Sequence, residues 1–139
     1  MGNDNMQWNG LNGYFNGRHL RPEIIHGSID PFGGTSPNGE EAFKAMDGSI
    51  NTKYLNFGGE NTGLTFTTDG SPCNKIRLYS GNEGPNRDPI KIELHGSNAV
   101  SKPAATGSWN FICTRVVPAF HGRNTFQTVD IGATVSYTH

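Results

Sequence analysis

Apolar and polar side chains alternate most regularly between residues 89 and 96, where Ile90, Ile92 and Leu94 are separated by Lys, Glu and His. A period of two places these three side chains on one face of a half-buried strand. Shorter alternating runs predict three further strands, each with its own inward-facing residues. They are residues 63–68 (Leu64, Phe66), 74–80 (Ile76, Leu78) and 125–131 (Phe126, then Val129 and Ile131 after an irregularity).

Loops rich in Gly, Asn, Asp, Ser and Pro separate these runs, as in residues 57–63 and 81–89. Such residues supply the positive φ, the fixed φ or the side-chain hydrogen bonds that turns require. One helical segment is predicted, residues 39–46, which ends at Asp47-Gly48 after about two turns. Many short strands with one short helix predict an all-β fold, either a sandwich or a barrel.

The N-terminal segment, residues 1–22, differs in character from the rest. It contains three Asn-Gly pairs, with Trp8 just before the first pair and Leu11, Tyr14 and Phe15 between the pairs. Because Asn-Gly pairs favour tight turns, the segment is predicted to be a poor helix and a poor long strand. It is interpreted as an extension packed across the domain by its aromatic side chains, with an arm that docks on another subunit as the alternative.

Composition limits the classes of partner. A chain of 139 residues fits one domain, and its formal net charge of -1 provides no basic surface for nucleic acid. No apolar run approaches the roughly 20 residues of a membrane helix, and the first ten residues lack the basic and apolar regions of a signal peptide. We therefore expect neither a nucleic-acid partner nor a membrane span.

The two cysteines, Cys73 and Cys113, fall at or within different predicted strands. A disulfide between neighbouring strands and two separate buried thiols are both compatible with this placement. The five histidines show no zinc-like spacing. The sequence also lacks a nucleophile elbow, a phosphate-binding loop and a dinucleotide fingerprint, so the protein is expected not to be an enzyme.

Two stretches carry a resemblance to a known family: AFKAMDGSINTKYLNFGGENTG, residues 42–63, and NEGPNRDPIKIELHGSN, residues 82–98. The first looks like Ala-x-Asp-Gly followed by Thr-x-Tyr, and the second like a strand entry Asn-Glu-x-x-x-Arg-Asp-Pro that ends in Gly-Ser-Asn. These motifs resemble the discoidin-like group of galactose-binding-type β-sandwich modules, which includes the C-type domains of coagulation factors V and VIII and many bacterial carbohydrate-binding modules.

The resemblance implies a jelly-roll-like antiparallel β-sandwich over residues 23–139, after an N-terminal extension of residues 1–22. It also implies glycan binding and an extracellular or cell-surface location. Where such modules continue with closing strands, this sequence ends at His139. A sandwich without its closing strand has an open sheet edge, which the N-terminal extension, a strand of another chain or further residues would have to cover.

Residues 45–54, AMDGSINTKY, have the composition of a small cation loop. Asp47 supplies a carboxylate, and Ser49 and Thr52 supply neutral oxygens of the kind that Ca²⁺ binds. The resemblance implies a structural calcium ion at this position, although the family often takes a second carboxylate from a region that this sequence lacks. The alternative is a metal-free Asx-turn in which Asp47 accepts hydrogen bonds from its own loop.

The next segment combines aromatic rings with polar side chains: Tyr54, Asn56, Phe57, Glu60 and Asn61. Sugars present apolar C–H faces to aromatic rings and hydroxyl groups to planar donors and acceptors, so this combination predicts a glycan site. The alternative for each ring is a place in the core. The three polar residues are expected to be exposed.

The loop before the regular strand holds Asn82, Glu83, Asn86, Arg87 and Asp88. In a structural interpretation, four of these residues organise the loop and brace it against residues 54–59, namely Asn82, Glu83, Arg87 and Asp88. In a functional interpretation, Asn86 and Arg87 face outward and bind sugar hydroxyl groups. These expectations together predict a non-catalytic carbohydrate-binding module, with a self-associating structural or assembly subunit as the alternative.

Overall fold

The computed structural model describes residues 6–15, 18–19, 28–47, 49, 51–82 and 84–139. Its strands are β1 (Met6–Phe15), β2 (Arg18–His19), β3 (Asp30–Phe32), β4 (Tyr54–Asn56), β5 (Gly63–Thr65), β6 (Cys73–Ser80), β7 (Lys91–Gly96), β8 (Asn110–Val116) and β9 (Phe126–Val135). Short 3-10 helices cover Ala42–Met46 and Pro85–Arg87. This composition confirms the predicted all-β fold. In the described ranges, no helix has the length and apolar character needed to cross a membrane.

A five-stranded antiparallel sheet, with the order β2-β1-β6-β9 and with β4 also paired to β1, is the largest element of the fold. Its strand β6 alternates as predicted, with Ile76 and Leu78 buried. Because successive side chains of a strand point to opposite faces of the sheet, Ile76 and Leu78 face the core together. The cluster that these side chains join includes Tyr54, Val129 and Ile131.

The prediction that the N-terminal segment is a poor long strand is wrong. β1 spans ten residues and pairs with β6 on one side and with β4 and β2 on the other. The register of β1 on β6 shifts between Asn9 and Asn12, and a bulge of this kind absorbs residues that prefer turns. Pairing on both sides thus overrides the local preference of Asn-Gly. The predicted boundary between residues 22 and 23 lies outside the described residues.

The prediction that Phe126 on β9 faces inward is wrong. Residues 126–130 pair with β6 without interruption, and Val129 faces inward beside Ile76. A regular register puts residues 126 and 129 on opposite faces, so Phe126 is 44% exposed instead of buried. On the outer face, the centroid of its ring lies 3.9 Å from the guanidinium carbon of Arg77. The irregularity falls later in the strand, before Val135.

The predicted two-turn helix is instead a 3-10 helix of five residues, Ala42–Met46. It buries Ala42 and Ala45, which are three positions apart and therefore share a face in a three-residue turn. Glu40 and Glu41 precede this helix, and Glu41 makes no side-chain cap.

Two smaller antiparallel sheets, β3-β5 and β7-β8, complete the pairing of the described residues. Ile92 and Leu94 on β7 and Leu64 on β5 pack against the core, as the alternation predicted. Ile90 precedes β7 and is exposed, contrary to prediction. Cys113 on β8 and Cys73 on β6 are separate, buried thiols.

Candidate ligand-binding site

The loop that follows β4 is fixed by the buried side chain of Asn56, which is 1% exposed. Asn56 Nδ2 donates to the carbonyl oxygen of Gly33 at 2.9 Å and to Tyr54 Oη at 2.8 Å. Asn56 Oδ1 accepts from the amide of Gly58 at 2.8 Å, and Tyr54 Oη donates to the carbonyl oxygen of Gly63 at 2.8 Å. This group of hydrogen bonds, the Asn56 network, joins both ends of the loop to a second loop at residues 33–34.

Glycines make room for the Asn56 network. Gly34 has a φ of +62°, and a Cβ atom on it would lie 1.9 Å from Asn56 Oδ1. A Cβ atom on Gly58 would lie 2.8 Å from Thr62 Cγ2. No side chain can be added at these positions without moving Asn56 or Thr62, so the two Gly-Gly pairs of the sequence are the signal that a residue is enclosed there.

The predicted exposure of Asn56 is wrong, because the three hydrogen bonds of the network satisfy its side-chain amide inside the protein. Tyr54 takes the core position that was the alternative for its ring and is fully buried. Burial raises the pKa of the Tyr54 hydroxyl, and the hydrogen bond with Asn56 acts in the opposite direction. Neither side chain presents surface to a ligand, so both position the loop.

The tip of the same loop is exposed. Phe57 is 50% exposed, and Glu60 and Asn61 lie at the surface as predicted. Thr62 Oγ1 donates to the carbonyl oxygen of Gly59 at 2.6 Å and closes the loop, while Asn61 adopts a positive φ of 59°. An aromatic face, a carboxylate and an amide are therefore displayed together on a loop with a fixed base.

The loop before β7 is connected to the segment before β4 through Lys53. Lys53 Nζ donates to Asn82 Oδ1 at 2.7 Å and lies 3.1 Å from Glu40 Oε1. Asn82 therefore braces its loop, but against Lys53, which precedes the predicted residues 54–59 and which the sequence did not indicate. Glu83, another of the four predicted bracing residues, lies outside the described residues.

Asp88 is 6% exposed and binds Arg123 through both carboxylate oxygens, with N–O distances of 2.9 Å and 2.5 Å. The hydrogen bonds that Arg123 donates to Asp88 are the main reason why the pKa of Arg123 is raised, while burial acts in the opposite direction. The prediction that Asp88 braces its loop against residues 54–59 is corrected: it holds the loop to the segment before β9. Arg123 lies 35 positions along the chain, and no local pattern indicated it.

Asn86 and Arg87 occupy the second 3-10 helix, which starts after Gly84 in a left-handed conformation with a φ of 53°. Asn86 is exposed and Arg87 is half-buried. The Arg87 amide donates to the carbonyl oxygen of Gly84 at 2.8 Å, which fixes the turn. An outward position for Asn86 agrees with the functional interpretation, and sugar binding by either residue stays a prediction.

The Asp47 loop has the hydrogen bonds of an Asx-turn. Asp47 Oδ1 accepts from the Ser49 amide at 3.0 Å, and Asp47 Oδ2 accepts from Thr52 Oγ1 at 2.5 Å. Ser49 Oγ in turn accepts from the Asn51 amide at 3.1 Å. Within the described residues, no group of three or more His, Cys, Asp or Glu side chains converges to hold a metal ion. The calcium ion stays a prediction that rests on one carboxylate and the hydroxyl groups around it.

A cleft of about 750 Å³ lies between the sheets and was not predicted. Its floor includes Ile76, Leu78 and Ile131, and Asn61 and Pro89 line it beside the two loops described above. Trp109 also lines it and donates its indole N–H to the carbonyl oxygen of Ala104 at 2.9 Å.

Comparison of the chain with protein-family models, curated proteins and solved structures finds no match. The discoidin-like resemblance therefore stays a prediction. Inference about function rests on the local geometry of the loops and sheets.

Proposed function

We propose that this protein is a non-catalytic carbohydrate-binding module with a discoidin-like, jelly-roll β-sandwich fold. The observation that carries the proposal is the display of Phe57 beside Glu60 and Asn61 at the tip of one loop. The exposed ring offers a flat apolar face for the C–H groups of a sugar, and the carboxylate and amide offer acceptors and donors for its hydroxyl groups.

The fixed base of the loop supports the same proposal. Sugar binding exchanges hydrogen bonds to water for hydrogen bonds to protein, so the net gain per contact is small. Affinity then depends on how little order must be gained when the ligand arrives. Because the Asn56 network already holds both ends of the loop, Phe57 and its neighbours lose little conformational entropy on binding.

A second contact is proposed for Asn86 and Arg87. Asn86 is exposed, and the guanidinium of Arg87 supplies a rigid fork of donors that suits vicinal hydroxyl groups. The module would tether an associated activity to an extracellular glycan surface, with modest affinity at each site. A net charge of -1 favours neutral glycans over strongly charged ones.

A glycan array tests the proposal with a matched pair of variants. Phe57→Ala removes the proposed stacking ring, and Phe43→Ala removes a ring of nearly equal exposure, 50% against 49%, from the first 3-10 helix. We expect binding to a defined set of sugars, weakened about tenfold or more by Phe57→Ala and unchanged by Phe43→Ala. Absence of binding by folded protein, or equal loss in both variants, would contradict the proposal.

A structural calcium ion at Asp47, Ser49 and Thr52 is proposed as a support of the same face. The array is repeated with calcium and with a chelator, and Ca²⁺ binding is measured by calorimetry on the wild type and on Asp47→Asn. A calcium site at Asp47 predicts binding heat in the wild type and none in Asp47→Asn. Equal heats in both proteins, or no heat in either, would exclude the ion from this loop and leave the metal-free Asx-turn.

Self-association is the second candidate, and one observation favours it. Among the described residues β9 pairs with β6 alone, so β9 is an edge strand, and Phe126 is exposed on it. The N-terminal segment supports this candidate less than the sequence suggested, because β1 pairs within its own chain. Sedimentation at several concentrations separates the two: a monomer favours the module, and a species that grows with concentration favours assembly.

A further inference from the structure

The outward face of the β7-β8 sheet carries a row of polar side chains that the loops described above do not use. Lys91, Glu93 and His95 are all exposed and lie on the face opposite to Ile92 and Leu94. Side chains two residues apart on one strand lie about 7 Å apart, so the three form a row of about 14 Å along the surface of the sheet.

One aromatic ring stands beside this row. Phe111 on β8 pairs with His95 and is 59% exposed. The centroids of the His95 and Phe111 rings lie 5.4 Å apart, and the two rings are nearly perpendicular, with an interplanar angle of 75°. The phenyl ring is therefore displayed next to the polar row, with the imidazole fixing its position.

A β-bulge in β8 turns Phe111 outward. The register with β7 shifts between Leu94, which pairs with Cys113, and His95, which pairs with Phe111, so Ile112 is the extra residue. Ile112 and Cys113 follow each other in the chain, and yet both pack in the core. Strict alternation would have placed Phe111 on the same inner face as Cys113. Bulges that re-aim a side chain in this way are over-represented next to active sites.

Glu93 presents a carboxylate with open acceptor positions. Its Oε1 lies 2.9 Å from His95 Nε2, and its Oε2 makes no hydrogen bond with a residue in the described part of the chain. A carboxylate has about four acceptor positions, so most of them stay available to a ligand. At the other end of the row, the Lys91 ammonium group has no ion pair within the described ranges and supplies donors.

Contacts on the inner face hold this surface in place. Arg115, which pairs with Ile92, donates to the carbonyl oxygen of Asp130 at 3.0 Å and to that of Ile131 at 2.6 Å. These hydrogen bonds attach the β7-β8 sheet to β9. Side chains on a braced pair of strands lose less conformational freedom on binding than side chains on a loop.

We infer that this outward face is a second carbohydrate site, in which Phe111 stacks on a sugar while Glu93 and Lys91 bind its hydroxyl groups. The ring offers a flat apolar surface to sugar C–H groups. Glu93 accepts hydrogen bonds from hydroxyl groups, Lys91 donates to them, and His95 positions the carboxylate beside the ring. With His95 neutral, the charges of Lys91 and Glu93 cancel, so a neutral glycan fits the row better than a charged one.

The form of the site specifies the part of a glycan that it takes. A row of side chains along a strand follows an extended chain of sugars, whereas the loop tip at Phe57 presents one point of contact. The ligand of the β7-β8 face is therefore an internal segment of a neutral polysaccharide. The choice of a glycan rests on the proposed function, but the two sites share no residue, so either can fail without the other.

Affinity electrophoresis tests this site in gels that contain a β-glucan, a xylan, a galactomannan or an α-glucan. Phe111→Leu keeps an apolar side chain without the flat ring, Phe111→Trp keeps a flat ring, and Phe43→Ala removes an exposed ring elsewhere. We expect retardation in at least one gel. Phe111→Leu should raise the dissociation constant about tenfold, and Phe111→Trp and Phe43→Ala should change it by less than about twofold.

Two results would overturn the second site: no retardation of the folded wild type in any of the four gels, or equal retardation of the wild type and Phe111→Leu. Phe57→Ala separates this site from the loop tip. Retardation that survives in Phe57→Ala and is lost in Phe111→Leu supports the β7-β8 face and counts against the loop tip. The converse result leaves the loop tip alone and overturns the second site. Weakening by each variant supports two sites.

Discussion

Two loops of this protein are each held by one buried polar side chain, and they use different chemistry. Asn56, after β4, is a neutral amide whose partners are Tyr54, Gly58 and the carbonyl of Gly33. Asp88, before β7, is a carboxylate whose partner is the guanidinium of Arg123. Both residues are buried, so either loop should loosen when its central side chain loses its partners.

The difference lies in which conditions each loop can tolerate. The Asn56 network contains no charge, so neither salt nor pH near neutrality alters its hydrogen bonds. The Asp88–Arg123 pair gains part of its energy from charge, and that part is screened where the pair meets solvent. The loop that displays Phe57 is therefore held by hydrogen bonds that depend less on salt and pH than the ion pair of the other loop does.

Asn56→Ala should have the largest effect on stability. It leaves the Gly33 carbonyl, the Gly58 amide and the Tyr54 hydroxyl short of a partner and opens a cavity. We expect a loss of about 4 kcal/mol in the free energy of unfolding, measured by urea denaturation. Asn86→Ala at the exposed position serves as the control and should cost less than about 0.5 kcal/mol. Similar losses in the two variants would contradict the importance of the network.

Arg123→Met should have an intermediate effect, because it leaves Asp88 buried without its guanidinium. We expect a loss of about 2 kcal/mol, less than for a fully enclosed pair since 26% of the Arg123 side chain is exposed. Arg123→Lys keeps the positive charge but loses the bidentate hydrogen bonding to Asp88, so it should retain part of the stability. In 1 M salt the loss of unfolding free energy caused by Arg123→Met should shrink, while the loss caused by Asn56→Ala should stay constant. Equal salt dependence of the two losses would contradict the proposed difference between the loops.

Alkaline pH should have the smallest effect on stability, and it should act through Tyr54, which belongs to the Asn56 network. The pKa of Tyr54 is raised by burial above its ordinary value of 10.0, so the folded state holds this proton more tightly than the unfolded state. Its contribution is complete below pH 10 and is lost as the pH rises further, by up to about 1.4 kcal/mol for each pH unit.

Burial also raises the pKa of Cys73 above its ordinary value of 9.0. The stability that the protonated thiol contributes therefore begins to fall at a lower pH than the contribution of Tyr54 does. The measurement is the free energy of unfolding between pH 8 and 11 in the wild type and in Tyr54→Phe. The variant should start from a lower stability and show a shallower decline above pH 10. Parallel curves would mean that Tyr54 does not titrate differently in the two states.

Prediction of the fold from sequence succeeded where a short-range pattern is reinforced by burial. Ile76, Leu78, Ile92 and Leu94 face inward as their alternation predicts, because one buried face of a strand selects every second residue. It failed for Phe126 and for β1. The phase of a strand depends on its register with the neighbour, and β1 becomes a strand because β6 and β4 pair with it.

The predicted exposure of Glu60 and Asn61 is confirmed, and their role in ligand binding stays a prediction. Phe57 lies at the surface and not in the core position that was the alternative for its ring. Prediction failed for Asn56, whose burial depends on a loop 23 positions earlier. Composition alone marks an amide as polar, and only the contact with Gly33 decides whether solvent or protein satisfies it.

The sequence by itself determined the strand-rich class, the alternation of the core strands and the turn-forming loops, because these depend on neighbours a few residues away. The tertiary structure alone decided the partner of Asp88, the enclosure of Asn56 and the cleft between the sheets. Each of these joins segments distant in the chain, and their meeting depends on the register of whole strands.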